Sequence, residues 1–156
     1  MSETPLYPTP EVQPPGRQER RDTKLVKKRD TTLLTGGSPL RVLLVEDDPD
    51  VTKVLVVLLR DWGYEVCTVE DGPAALQAAP TFLPDVVLSD IGLPAGMDGC
   101  EVARRLRGQA GLLIALSGGG LESRQRARAA GFDDFLAKPC NVQELQRLLA
   151  TVTPRR

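Results

Sequence analysis

Between Asp85 and Gly99 the chain reads Asp-Val-Val-Leu-Ser-Asp-Ile-Gly-Leu-Pro-Ala-Gly-Met-Asp-Gly. Val86, Val87 and Leu88 form a short apolar run without alternation, the pattern of a strand covered on both faces. Such strands belong to parallel sheets, which need a crossover, usually a helix, between successive strands. The run stops at a carboxylate, Asp90, and Gly92, Pro94, Gly96 and Gly99 mark the segment after it as a loop. In open α/β sheets ligands bind outside the carboxyl ends of the strands, so an acid there is a candidate functional group. Taken alone, Asp90 is equally a solvated strand-end aspartate.

The same pattern recurs along the chain. Leu40 to Val45 is a buried strand that ends in Glu46, Asp47 and Asp48. Asp48 is placed as N-cap and Pro49 as first residue of a helix running to about Asp61, with Gly63 as its stop signal. Val51, Val54, Leu55 and Leu58 make its sheet-facing stripe, widened by Val57 and Leu59. Val56 falls on the opposite side, which suggests a docking surface. Tyr64 to Val69 reads as an edge strand. Asp71-Gly72-Pro73 opens a helix through Ala79, and Pro80 and Pro84 bracket a loop into the strand before Asp90. Glu101 to Arg107 is a short helix with Val102, Ala103 and Leu106 inward. Leu112 to Leu116 is a strand ending at Ser117, and Gly118-Gly119-Gly120 leads into an arginine-rich helix, Leu121 to Ala130, closed by Gly131. Asp134 to Ala137 is a last strand ending in Lys138-Pro139, and Asn141 caps a final helix containing Val142, Leu145, Leu148 and Leu149.

Five strands thus alternate with five helices, an α/β pattern that predicts a parallel sheet with helices on both faces. Glu46, Asp47, Asp90, Ser117 and Lys138, scattered in sequence, then converge on one rim.

The 156 residues suffice for one domain and are too few for two ordinary ones. Residues 1–38 carry five of the 13 prolines and little apolar periodicity, and read as a disordered tail, basic in its second half, with residues 39–153 as the domain. The tail is a solubilising linker or, on a sharper reading, a segment that contacts a partner or forms a short helix over Glu19 to Asp30. The formal net charge of -1 gives no global argument for a nucleic-acid partner or an anionic membrane. No apolar run approaches the length of a membrane span, and no signal peptide is evident, so a cytoplasmic protein is expected. Cys67, Cys100 and Cys140 form no Cys-x-x-Cys pair, and the chain has no histidine, which argues against zinc and against Ser-His or Cys-His catalysis.

Three carboxylates, a hydroxyl and an ammonium on one rim call for a cation or raised pKa values. Hard oxygen ligands with room for water suit Mg²⁺. Beside such a site an Asp carboxylate can act as nucleophile toward a phosphoryl group. Lys138 would neutralise charge on that group and Ser117 would donate a hydrogen bond to it.

At these residues the chain resembles the receiver domain of two-component response regulators, over about Leu40 to Val152. The resemblance is carried by Val45-Glu46-Asp47-Asp48, Ser89-Asp90-Ile91-Gly92-Leu93-Pro94, Met97-Asp98-Gly99, Ala115-Leu116-Ser117-Gly118 and Phe135-Leu136-Ala137-Lys138-Pro139. It implies a flavodoxin-like doubly wound (βα)5 sandwich with strand order 2-1-3-4-5. It implies Asp90 as phosphoacceptor, and Asp47, Asp90 and the backbone carbonyl of Gly92 as Mg²⁺ ligands, with Glu46 reaching the ion through water. Ser117 matches the hydroxyl that moves toward the phosphoryl group, Lys138 the lysine that pairs with it, and Phe135 the switch aromatic. Lys138-Pro139 is expected to be cis. The chain departs from the family pattern where Ala95 and Gly96 stand in place of one residue, where Phe135 lacks a hydroxyl and must act by packing, and where the triple glycine predicts a mobile loop.

The expected function is a phosphorylation-dependent signalling switch rather than an enzyme acting on a separate substrate. Its phosphoryl donor is a partner histidine kinase or histidine phosphotransfer domain. Its downstream protein partner binds the face of the fourth helix, fifth strand and fifth helix, and neither nucleic acid nor membrane is expected. The alternatives are the C-terminal receiver segment of a hybrid sensor histidine kinase, or a receiver-fold binding module that works without phosphorylation. Plainer readings stand beside these: Ser117 as a strand-end cap, Phe135 as core, Lys138 as a surface charge, Asp98 as a helix cap, and Arg124, Arg126 and Arg128 as the wet side of their helix. The cysteines are then small apolar fillers. The acids after the first strand exclude a dinucleotide fingerprint, no P-loop is present, and Gly92 stands where a phosphohydrolase would usually carry its second aspartate.

Overall fold

The computed structural model describes residues 37–155. The expected disorder of the tail and its helix over Glu19 to Asp30 therefore lie outside the described residues. Among the described residues ten elements alternate strictly: β1 (Arg41–Val45), α1 (Pro49–Asp61), β2 (Glu65–Val69), α2 (Gly72–Phe82), β3 (Val86–Asp90), α3 (Gly99–Leu106), β4 (Leu112–Ser117), α4 (Leu121–Ala130), β5 (Asp134–Ala137) and α5 (Val142–Leu149). All strand pairs are parallel, and the order is β2-β1-β3-β4-β5, as the resemblance implies.

The period of two along each strand sorts the core into two layers. Val42, Leu44, Val86, Leu88, Ile114, Leu116 and Leu136 face α1 and α5 through Leu55, Leu59, Leu145 and Leu149. Leu43, Val45, Val87, Leu113 and Ala115 face α2, α3 and α4 through Ala75, Ala79, Val102, Leu106, Ala127 and Ala130. The continuous apolar runs are therefore strands covered on both sides.

The helix starts follow local chemistry. Asp48 accepts from the backbone N–H groups of Asp50 and Val51 and Pro49 opens α1; Asp71, Asp98 and Asn141 cap α2, α3 and α5. α3 begins at Gly99, two residues before the expected start. A Cβ at Gly99 would overlap the Asp90 carbonyl oxygen, so only glycine lets α3 begin directly against the end of β3.

Two expectations are corrected. α1 is rotated from the expected register: Leu55 and Leu59 are its buried residues, and Val51 and Val56 pack beside them, whereas Val54 and Val57 are exposed at 60% and 68%. Val56 therefore faces the core, and the water-facing valines are Val54 and Val57. α2 continues through Pro80 to Phe82 instead of ending at Ala79. Phe82 packs against the core, and Leu83 closes the helix in the left-handed region (φ 53°), its N–H donating to the Ala79 carbonyl. That packing holds the last turn despite the backbone donor missing at Pro80.

Candidate functional site

The acidic rim is assembled by the ends of β1, β3 and β5. The Glu46 N–H donates to the Val69 carbonyl at 3.0 Å, which carries the sheet pairing one residue past β1. The side chain is thereby directed inward, and Glu46 is 1% exposed. Its Oε1 accepts from the Asp48 N–H at 3.1 Å. Oε2 is buried and receives no hydrogen bond from the described residues; its compensation is the Lys138 ammonium at 2.7 Å.

Lys138 also lies 3.0 Å from Asp90 Oδ2, while Asp90 Oδ1 accepts from the Gly92 N–H at 3.1 Å. Its backbone N–H donates to the Ser117 carbonyl at 2.8 Å, and the Lys138-Pro139 peptide is cis, as expected. Burial alone would lower the lysine pKa, but the adjoining carboxylates of Glu46 and Asp90 outweigh it and hold the pKa above the ordinary value. Lys138 is therefore a fixed cation at the centre of the rim.

Asp47 is exposed, and one carboxylate oxygen each from Glu46, Asp47 and Asp90 lie within 4.8 Å of one another. This is an all-oxygen donor set, open to water on the Asp47 side. It fits a hard divalent cation of the magnesium kind and offers nothing to a thiophilic metal.

Ser117 follows Leu116, the register partner of Asp90, and is 8% exposed. Its Oγ accepts from the Gly119 N–H at 3.0 Å, so its own hydroxyl proton stays available for donation. Phe135 pairs in register with Ala115 and packs against the α4 side of the core. The glycine loop uses no left-handed conformation; what demands a glycine there is space, since a Cβ at Gly119 would overlap Ser123 Oγ. The extra loop residue after Pro94 is absorbed by two successive left-handed residues, Ala95 (φ 65°) and Gly96 (φ 72°).

The structure thus brings Glu46, Asp47, Asp90 and Lys138 together and sets Ser117 beside them. Gly92 reaches Asp90 through its N–H. Sequence reading missed two contacts. Arg124, taken for solvent-facing, stacks over the Phe135 ring at 5.1 Å, and Arg126 forms an ion pair with Asp98 at 3.0 Å. An arginine on a helix carries no sequence signal for either.

A family model described as the response regulator receiver domain matches residues 42–150. Among curated proteins, the DNA-binding response regulator MtrA of Mycolicibacterium smegmatis is 37% identical over 114 residues, covering 67% of this chain and 46% of the relative. The chain spans about half the length of the curated relatives it matches. Among solved structures, the receiver domain of sensor histidine kinase PA1611 from Pseudomonas aeruginosa, with a magnesium ion coordinated in its active-site cleft, is 38% identical, with a TM-score of 0.65 and coverage of 72% of this chain and 95% of that one. The chemotaxis protein CheY4 of Vibrio cholerae is 31% identical, with a TM-score of 0.67 and coverage of 74% and 100%. MtrA is called DNA-binding, so the expectation that this chain has no nucleic-acid partner finds no support. Among the described residues, no helix is long and apolar enough to cross a membrane.

Proposed function

This chain belongs to the response regulator receiver domain family, and on that premise we propose that it is a phosphorylation-controlled switch that accepts a phosphoryl group on Asp90. The observation that carries the reading is the Glu46–Asp47–Asp90 cluster with Lys138 between two of its members. Asp47, Asp90 and the Gly92 carbonyl, with Glu46 through water, would hold Mg²⁺, which supplies positive charge to the phosphoryl oxygens and the attacking carboxylate.

An Asp90 carboxylate oxygen attacks phosphorus; the new O–P bond forms as the N–P bond of a partner phosphohistidine breaks, and the imidazole leaves with the bonding pair. Lys138 turns from the Asp90 carboxylate to the phosphoryl group formed on it. Glu46, fixed by Asp48 and deeply buried, keeps the ammonium from leaving the rim. The Ser117 hydroxyl donates to a phosphoryl oxygen, and Phe135 responds by packing alone. A histidine kinase or phosphotransfer domain supplies the phosphoryl group in the cytoplasm, and the face of α4, β5 and α5 presents the change to a downstream protein. Residues 39–153 are the receiver unit.

A second reading, that this is the receiver segment of a sensor kinase, is favoured by the likeness to the PA1611 receiver. Both readings require the same chemistry. Incubation with acetyl phosphate or a phosphorylated phosphotransfer domain, then a phosphate-affinity gel, should show a Mg²⁺-dependent shifted band that Asp90→Asn abolishes. A folded protein that shifts with neither donor is instead a binding module that works without phosphorylation.

A further inference from the structure

α4 is the helix least secured by its own sequence. Only Ala127 and Ala130 are buried, no side chain caps its N-terminus, and its first residue, Leu121, is 72% exposed. Three glycines join it to β4. The loop is nevertheless fitted closely to the helix, because Gly119 lies between Ser117 and Ser123 with no room for a Cβ. A Ser117 hydroxyl that turns toward a phosphoryl group on Asp90 gives up the Gly119 N–H and disturbs the segment that leads into α4.

Two arginines of α4 make contacts on different sides of the helix. Arg126 Nη2 lies 3.0 Å from Asp98 Oδ2, and Asp98 is the N-cap of α3, in the loop that leaves Asp90. The Arg124 guanidinium lies over the ring of Phe135 on β5, three residues before Lys138. Each contact ties α4 to a segment that itself leads to the acidic cluster. The third arginine of the helix, Arg128, is exposed and makes neither kind of contact among the described residues.

We infer that Arg124 and Arg126 are positioning residues that set the threshold of the switch, by holding α4 in the place it takes while Asp90 is unmodified. The inference rests on the phosphorylation reading above. A contact made in the resting arrangement and lost in the switched one weakens binding of a phosphoryl group, or its mimic, by the same factor by which it favours rest. Removing either arginine therefore tightens that binding. A residue with a merely structural role would instead lower stability and leave the affinity alone.

The test is titration of the full chain with beryllofluoride at saturating Mg²⁺, monitored by NMR at the amides of Gly118, Gly119 and Gly120. Arg124→Ala and Arg126→Ala should each bind the mimic about twofold to fivefold more tightly than wild type. The double variant should show roughly the product, because the two contacts share no partner. Arg124→Lys, which keeps a cation near the ring, should return toward wild type, and Arg128→Ala should match it. Without the mimic, amide hydrogen exchange in α4 should be faster in both alanine variants. Alanine variants that bind no more tightly than wild type overturn the inference, even with faster exchange, and leave the phosphorylation reading intact. A folded wild type that does not bind the mimic overturns both.

Discussion

Lys138 separates two carboxylates that would otherwise face each other at a buried sheet end, and its removal leaves Glu46 without its only counter-charge among the described residues. Losing one partner of a buried pair costs about 3–5 kcal/mol, and the 24% exposure of the lysine side chain reduces this, so Lys138→Met should cost about 2 kcal/mol in urea unfolding without divalent cation. Mg²⁺ should then raise the melting temperature of Lys138→Met more than that of wild type, because the same oxygens are left with no other cation. An equal rise in both would mean that the lysine and the ion do not share these ligands. The cysteines make a second prediction at this scale. Burial, with the Glu144 charge added, pushes the Cys140 thiol pKa up, and burial together with Asp98 does the same for Cys100. A raised pKa leaves less thiolate at any pH below it, so both should alkylate with iodoacetamide at pH 8 more slowly than glutathione.

At the scale of elements, what was legible was what depends on period and punctuation. Pro49, Asp71, Gly131 and Asn141 fixed helix ends because each acts through its own backbone or its nearest N–H groups. The face of α1 is only partly legible, with Leu55, Leu59 and Val51 inward as expected but Val54 and Val57 in water, because six apolar residues, Val51, Val54, Leu55, Val56, Val57 and Leu58, crowd two turns and leave its inward side undetermined by spacing; packing on the sheet selects it. The extent of α2 past Pro80 is not legible because the penalty for an internal proline is visible in sequence and the packing of the half-buried Phe82 is not. Pro80 is exposed, and its ring removes a helical hydrogen bond, so Pro80→Ala should stabilise the protein by about 1 kcal/mol, less than the full proline penalty because the unfolded chain regains freedom. Gly99→Ala should do the opposite. Its Cβ meets the Asp90 backbone, which cannot yield without moving the acid, so a loss of about 2–4 kcal/mol together with weaker Mg²⁺ binding is expected by thermal shift.

Across the whole molecule the two rims of the sheet have separate tasks. The candidate site was legible because Asp90 and Ser117 close strands and Glu46, Asp47 and Lys138 directly follow them, and parallel topology brings strand ends together whatever their separation in sequence. The opposite rim was not foreseen. There Asp85, 2% exposed, accepts from the backbone N–H of Arg41 at 2.8 Å and of Arg155 at 2.6 Å, while its carbonyl accepts from Gly111 and Leu112. One residue thus ties the starts of β1 and β4 and the segment after α5 to β3. Asp85→Ala strands two backbone donors and should cost about 2–4 kcal/mol in urea unfolding, yet leave phosphoryl acceptance at the far rim unchanged in the protein that remains folded. The central claim, that Asp90 itself forms the acyl phosphate, is tested most directly by trapping. The protein is incubated with a phosphoryl donor and Mg²⁺ and reduced with borohydride, which converts an aspartyl phosphate to homoserine, and the modified peptide is then read by mass spectrometry. The account predicts homoserine at position 90 alone, dependent on Mg²⁺; homoserine at Asp47 instead, or none in protein that has taken up phosphate, would contradict it.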